Sequence, residues 1–94
     1  MIHVMIERNI AEGMLSTYEE NSRMALQRTY VVPGFIAGEA FTDTHDPHHR
    51  FLLCKWRSLE DWQKWNTSED RQELMNLIAP ILLQPEKVTL LQHQ

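Results

Sequence analysis

What this chain lacks narrows its function before any motif is considered. It has one cysteine, Cys54, so no disulfide can close within a single copy. The neighbouring Leu52 and Leu53 mark that thiol as a buried small hydrophobe rather than a reactive group. Positive charge is in deficit: nine lysines and arginines face thirteen acids, for a formal charge of -4. With no basic stripe to offset that balance, a nucleic-acid partner is disfavoured. The longest helical apolar run, "LIAPILL" from Leu77 to Leu83, falls far short of the ~20 residues that span a bilayer. The opening "MIHVMIERN" has neither the basic segment nor the small-residue cleavage site of a secretory signal, and lipidation motifs are missing. The expectation is a soluble cytoplasmic protein without a membrane partner. GxGxxG, P-loop and GxSxG patterns are absent too, so the motifs imply neither a nucleotide cofactor nor a serine nucleophile.

What is present reads as one domain over residues 1–94, because chains divide only well beyond this length. "IHVMIERN" sets Ile2, Val4 and Ile6 against His3, Met5 and Glu7, the alternation of a strand. From Ala11 to about Tyr30, Leu15, Tyr18, Ser22, Ala25 and Thr29 fall at helical spacing. Pro33 and Gly34 in "VVPGF" break that helix. A second strand runs from Phe35 to about Thr42. "DTHDPHHR" then reads as a solvated hairpin loop, and Arg50 to Trp56 as a third strand. Ser58 and Asp61 form a capping pair that starts a helix at "SLEDWQKW". Thr67 or Ser68 offers a second start, with acids in the first turn where the helix dipole favours them. This second helical segment should run to about Ile78, and Lys87 to Gln92 supplies a last strand.

The order strand, helix, strand, strand, helix, strand is the βαββαβ plan of a ferredoxin-like α+β domain, an antiparallel sheet with both helices on one face. "FLLCKW" then carries a further consequence. Alternate side chains of a strand point to opposite faces, yet Phe51 and Leu53 on one side and Leu52, Cys54 and Trp56 on the other make both faces apolar. An uncovered apolar face of several hundred square ångströms is rare on a soluble monomer. A homodimer packed sheet against sheet is therefore expected.

The segment "PGFIAGEAFTDTHDPHHRFLLCKWRSLEDWQKWNTSEDRQEL", read with "IHVMIERNIAEG" before it and "PEKV" after it, resembles the antibiotic biosynthesis monooxygenase (ABM) family over nearly the whole chain. The sharpest pieces are the Pro-Gly-Phe-Ile-x-Gly-Glu turn, the acidic hairpin with Asp-Pro, and Trp-Arg-Ser-x-Glu-x-Trp. The resemblance implies a dimeric ferredoxin-like α+β barrel with a pocket between the helices and the sheet of each subunit. It implies either a cofactor-free monooxygenase, acting on a small phenol, quinol or polyketide-like aromatic with O2, or haem degradation. The haem-degrading branch carries an Asn at the end of strand one, a Trp on helix two, and an iron-ligating His about nine or ten residues further on. Here the Trp falls on Trp65, the Asn on Arg8 or, with a one-residue slip, on Asn9, and the His on Leu74 or Met75. No histidine occurs between His49 and His93, so haem degradation by that route is not expected and no cofactor is implied.

Each candidate has a plain alternative. Trp56 and Trp62 read as core. Trp65, at the edge of the apolar stripe of its helix, reads as a pocket wall whose indole could orient or stack on an aromatic substrate. Asn9 is either a turn former or a donor to the substrate's oxygen; Arg8 would do similar electrostatic work if it faces the pocket. His3 is either a half-buried strand residue or a general base for a phenolic proton. His45, His48 and His49 with Asp43 and Asp46 are the one cluster with metal-ligand chemistry, but they lack the spacing of a closed zinc site, and no metal is expected. The alternative function from another class is a non-catalytic module that holds a small apolar ligand in the same fold.

Overall fold

The strand β1, Ile2–Asn9, sets the frame of the molecule. Its burial alternates strictly: Ile2, Val4, Ile6 and Arg8 are buried, and His3, Met5, Glu7 and Asn9 are less so. That two-residue period fixes which side chains meet the helices. The computed structural model describes residues 1–94. The remaining elements are α1 (Leu15–Thr29), β2 (Phe35–Asp43), β3 (Asp46–Trp56), α2 (Leu59–Asn66), α3 (Glu69–Ile78) and β4 (Lys87–Leu91). The sheet has the order β2-β3-β1-β4, and every neighbouring pair is antiparallel. This is the ferredoxin-like α+β arrangement, with the second helix divided into α2 and α3. No helix is long and apolar enough to cross a membrane.

Two boundaries differ from the sequence expectation. The first helix begins at Leu15 rather than Ala11, because Ile10 bridges to Leu82 and Gly13 takes a positive φ of 76°, which a helix cannot contain. The stretch read as a long hairpin loop is mostly strand: β3 starts at Asp46, and only Thr44 and His45 lie between it and β2. The carboxylates of Asp43 and Asp46 make this possible. Each accepts a backbone N–H two residues ahead, from His45 at 2.8 Å and His48 at 2.9 Å. These local bonds stand in for a longer turn.

Elsewhere local chemistry and fold agree. Ser58 and Ser68 cap α2 and α3, their hydroxyls accepting from Asp61 N and Arg71 N. Pro80 ends α3 in a single 3-10 turn, Ala79–Ile81. Gly34, with φ of 89°, lies so close to Asp61 that any Cβ there would collide with its carboxylate, so the turn before β2 can approach the start of α2. Between sheet and helices lies a core of Ile2, Val4, Ile6, Cys54, Trp56, Trp62, Trp65 and Leu74. Each indole removes roughly 200 Å2 from water, worth about 5 kcal/mol at ~25 cal/mol per Å2 as an upper bound. The other sheet face carries Met5, Phe41, Phe51, Leu53 and Leu91, with no helix over it; Phe41 is 45% and Leu91 43% exposed.

Candidate functional site

A small cavity of about 40 Å3 lies between the sheet and the helices, with Arg8, Cys54, Trp56, Trp62, Trp65 and Arg71 among its lining. Strand parity brings Arg8 inward, where it is only 5% exposed. A charge so placed requires partners, and it has them. Arg8 Nε donates to Glu86 Oε2 at 2.9 Å, and its Nη1 donates to the Tyr18 hydroxyl at 3.3 Å. The other Glu86 oxygen accepts from Arg71 Nη2 at 2.6 Å. Arg71 projects from α3 and lies over the face of Trp62, 5.4 Å from the ring centroid, a cation–π geometry. Arg50, opposite Arg8 on β3, is drawn away by Glu19 on α1 at 3.0 Å.

The titrations follow from this arrangement. Burial pushes the Glu86 carboxyl up, but the guanidiniums of Arg8 and Arg71 outweigh it and hold the group below its usual range. Burial likewise works against the Arg8 charge, and Tyr18 and Glu86 overcome it. The Cys54 thiol is pushed up to about 11 by burial, partly opposed by the two arginines, so it is neutral and no nucleophile. The Trp56 indole N–H is fully buried without any hydrogen-bond partner. An orphaned buried donor is rare in a folded protein and calls for an explanation.

A wider groove of about 750 Å3 opens on the outside of the same wall. It is lined by Arg28, Val31, Pro33, Lys64 and Ser68 among others, and it shares Trp65 and Leu74 with the inner cavity. Trp65 therefore borders both a large space and a small one.

Of the four residues singled out from the sequence, Arg8 and Trp65 come together in the inner cavity. His3 and Asn9 do not join them. Both have the opposite parity on β1 and lie on the other face of the sheet, His3 with its ring edge-on to His93 at 5.3 Å and Asn9 opposite His49. The alternatives at the end of strand one thus resolve by geometry: the inward residue is Arg8, and a slip to Asn9 turns the side chain away. Trp56 packs in the core as expected, and its unpartnered N–H belongs to a residue that also lines the cavity. Arg71, Glu86 and Tyr18 were missed. Arg71 had a signal, a charge at helical spacing with Leu74, Met75 and Ile78; Glu86 sits in an irregular segment and had none.

The histidine cluster of the hairpin does not converge as a ligand set, and no group of three or more His, Cys, Asp or Glu side chains is placed to hold a metal. His49 is instead clamped on the uncovered sheet face, its Nε2 2.6 Å from Glu7 Oε2 and its Nδ1 2.8 Å from Asp43 Oδ2. Hydrogen bonds from its ring to the Asp43 and Glu7 carboxylates raise its pKa. A haem does not fit the inner cavity either. The space is far smaller than a porphyrin, Leu74 offers only methyl groups, and the Met75 sulfur lies 3.9 Å from Arg8 Nη2.

Comparison with known proteins places this architecture. Residues 1–77 match the model of the antibiotic biosynthesis monooxygenase family. Among solved structures, an antibiotic biosynthesis monooxygenase superposes with a TM-score of 0.90 at 21% identity, covering 100% of this chain and 99% of that one. A conserved protein from Methanosarcina mazei Go1 gives 0.91 at 13%, covering 99% and 92%. SnoaB, a cofactor-independent oxygenase from Streptomyces nogalater, gives 0.86 at 9%, covering 99% and 93%. At such identities the superpositions establish the fold. No curated protein matches the sequence. The fold is thus that of a ferredoxin-like α+β protein. The chain belongs to the antibiotic biosynthesis monooxygenase family.

Proposed function

We propose that this protein is a cofactor-independent monooxygenase that oxidises a small phenol or quinol with molecular oxygen. The observation that carries this reading is the meeting of Arg8 and Trp65, two residues from distant parts of the chain, at one cavity in a member of this family. A phenol ionised at the site passes one electron to O2. The resulting radical and superoxide combine, and loss of water leaves a quinone, one oxygen atom entering the product and the other leaving as water.

The chain's own contribution is electrostatic and steric. Arg8 and Arg71 stabilise negative charge on the substrate's oxygen, which lowers the cost of ionising it. The apolar walls exclude water, so that stabilisation is stronger than it would be in solvent. Trp65 offers a face on which the aromatic ring stacks. His3 and Asn9, across the sheet, take no part, and the phenolic proton leaves to water.

The protein works as a homodimer whose two copies bury the Met5, Phe51 and Leu53 faces against each other. Light scattering at micromolar concentration is expected to give twice the chain mass, and a monomer mass would remove this part of the reading. The activity is tested by oxygen uptake with hydroquinones, naphthols and anthrones. Protein-dependent uptake without added metal is the expected result. One observation favours a second reading, a non-catalytic module for a small ligand: no general base lines the cavity, since the Cys54 thiol is neutral. A binder would retain ligand without consuming oxygen.

A further inference from the structure

Four aromatic rings from four elements stand in line between the inner cavity and the surface. Trp62 of α2 and Trp56 at the end of β3 line the cavity and meet edge to face, their centroids 5.9 Å apart. Trp56 then meets Phe35, the first residue of β2, at 5.2 Å, and Phe35 meets Tyr30, just past the end of α1, again at 5.2 Å. Edge-to-face contact is how such rings pack. This line also sorts them by chemistry, with two buried indoles at the cavity, a phenyl ring between, and a phenol that is 55% exposed. Indole and phenol are the side-chain rings most readily oxidised by one electron, whereas a phenyl ring resists oxidation and acts only as a bridge.

Charge gives the line a direction. The Arg71 guanidinium lies over Trp62, 5.4 Å from the ring centroid, and Arg8 lines the same cavity. A positive charge formed on Trp62 is therefore repelled towards Trp56. An oxidised indole ordinarily relaxes by giving up its N–H proton. Trp56 has no acceptor for that proton, so its radical cation stays protonated and strongly oxidising. Tyr30, in contact with water, releases its phenolic proton as it loses an electron, and the oxidising equivalent comes to rest there. Tyr18 is a poorer resting place, since it is buried and has the Arg8 guanidinium 5.9 Å from its ring centroid. Cys54 is another poor one, because burial keeps its proton in place.

We propose that Trp62, Trp56, Phe35 and Tyr30 form a route that carries stray oxidising equivalents from the cavity to the surface. This rests on the reading above only for the source of the oxidant. A substrate radical that loses its superoxide partner and adds a second O2 becomes a peroxyl radical. That radical takes one electron from an indole at the cavity and a proton from water, and leaves as a hydroperoxide. The indole recovers its electron from Tyr30 across Phe35, and the Tyr30 proton passes to water. A thiol in solution then returns a hydrogen atom to the tyrosyl radical.

The test supplies its own oxidising equivalent and needs no substrate. A laser pulse photoionises the tryptophans of the intact protein, and hexaamminecobalt(III) takes up the ejected electrons irreversibly as cobalt(II). The absorbance of the indole radical is expected to decay as that of a tyrosyl radical grows, at a rate independent of protein concentration. Tyr30→Phe should lose the tyrosyl growth and prolong the indole radical, Tyr18→Phe should retain the growth, and Phe35→Leu should slow it severalfold. In the native protein a nitroso spin trap, located by mass spectrometry, should mark Tyr30, and this result decides if a variant does not fold. The proposal is overturned by the absence of tyrosyl growth, by growth that persists in Tyr30→Phe, by a rate that scales with protein concentration, or by a trap found on Tyr18 instead. Transfer to Tyr30 without oxygen uptake on any substrate would sustain the route and remove the monooxygenase. Oxygen uptake on phenols with no transfer to Tyr30 would do the reverse.

Discussion

Two clusters of three charged side chains flank β1, one on each face, and they are built from consecutive residues. Arg8 turns inward to Glu86 and Arg71; Glu7 turns outward to His49 and Asp43. The inner cluster is two cations around one carboxylate. The outer one, with His49 protonated, is two carboxylates around one cation. The inner groups are nearly out of water, whereas the outer ones keep 22% to 31% side-chain exposure. Ionic geometry alone therefore does not predict energetic weight. Burial magnifies the cost of an unmatched charge, and solvent mutes it.

The most severe way to break this comparison is to remove the central partner of the inner cluster. Glu86→Ala leaves two buried arginines facing each other, and urea denaturation should show a loss of about 3–5 kcal/mol. Asp43→Ala, which removes a carboxylate from the outer cluster, should shift the midpoint only slightly. A loss as large as that of Glu86→Ala would overturn the argument from burial.

A charge placed in the middle of the outer face sharpens the contrast by assembly rather than stability. Leu53→Glu should halve the mass seen by light scattering while leaving the tryptophan fluorescence of the inner core unchanged. A dimer that survives this substitution would place the interface elsewhere. Next in size comes the site itself. Trp65→Phe keeps an aromatic wall but removes the indole, and oxygen uptake on an identified substrate should slow by about tenfold, some 1.4 kcal/mol of barrier.

The smallest effect is on pH dependence, where the clusters act at opposite ends. Glu86 is depressed, so its stabilisation is present above the ordinary carboxylate pKa and is lost as pH falls through its lowered value. Asp43 adds to that acid limb, lowered by the His45 backbone N–H and by His49. His49 is raised, so its stabilisation is complete below the ordinary imidazole pKa and is lost as pH rises through the raised value. In thermal unfolding across pH, His49→Gln should flatten the limb above the ordinary imidazole pKa and, by releasing Asp43, weaken the acid limb slightly while leaving the Glu86 part of it. An unchanged upper limb would show that the outer clamp contributes nothing.

The sequence made the inner site legible in part. Trp65 was marked by its place at the edge of a helical stripe and by the family resemblance, and Arg8 by its place at the end of β1. Neither feature told which of Arg8 and Asn9 faces inward, because adjacent strand residues have opposite sides and one residue of slip exchanges them. Glu86 lay outside any periodic element, so nothing in the chain connected it to two arginines as distant as Arg8 and Arg71. Pro47, His48 and His49 were read as loop because their composition is that of turns. Pairing of His49 with Asn9 on β1, and of His48 O with the Ile10 N–H, overrode that tendency, as tertiary context does.

Local chemistry by itself determined the element order, the serine caps of α2 and α3, the break at Pro33 and Gly34, and the apolar character of both sheet faces. Each depends on residues within one turn or one strand. The tertiary structure alone decided that Arg8, Arg71 and Glu86 meet, that Trp56 is left with a bare donor, and that His3 and Asn9 lie on the far side of the sheet. Those outcomes depend on strand register and on contacts between distant segments, and a local pattern of residues carries no information about either.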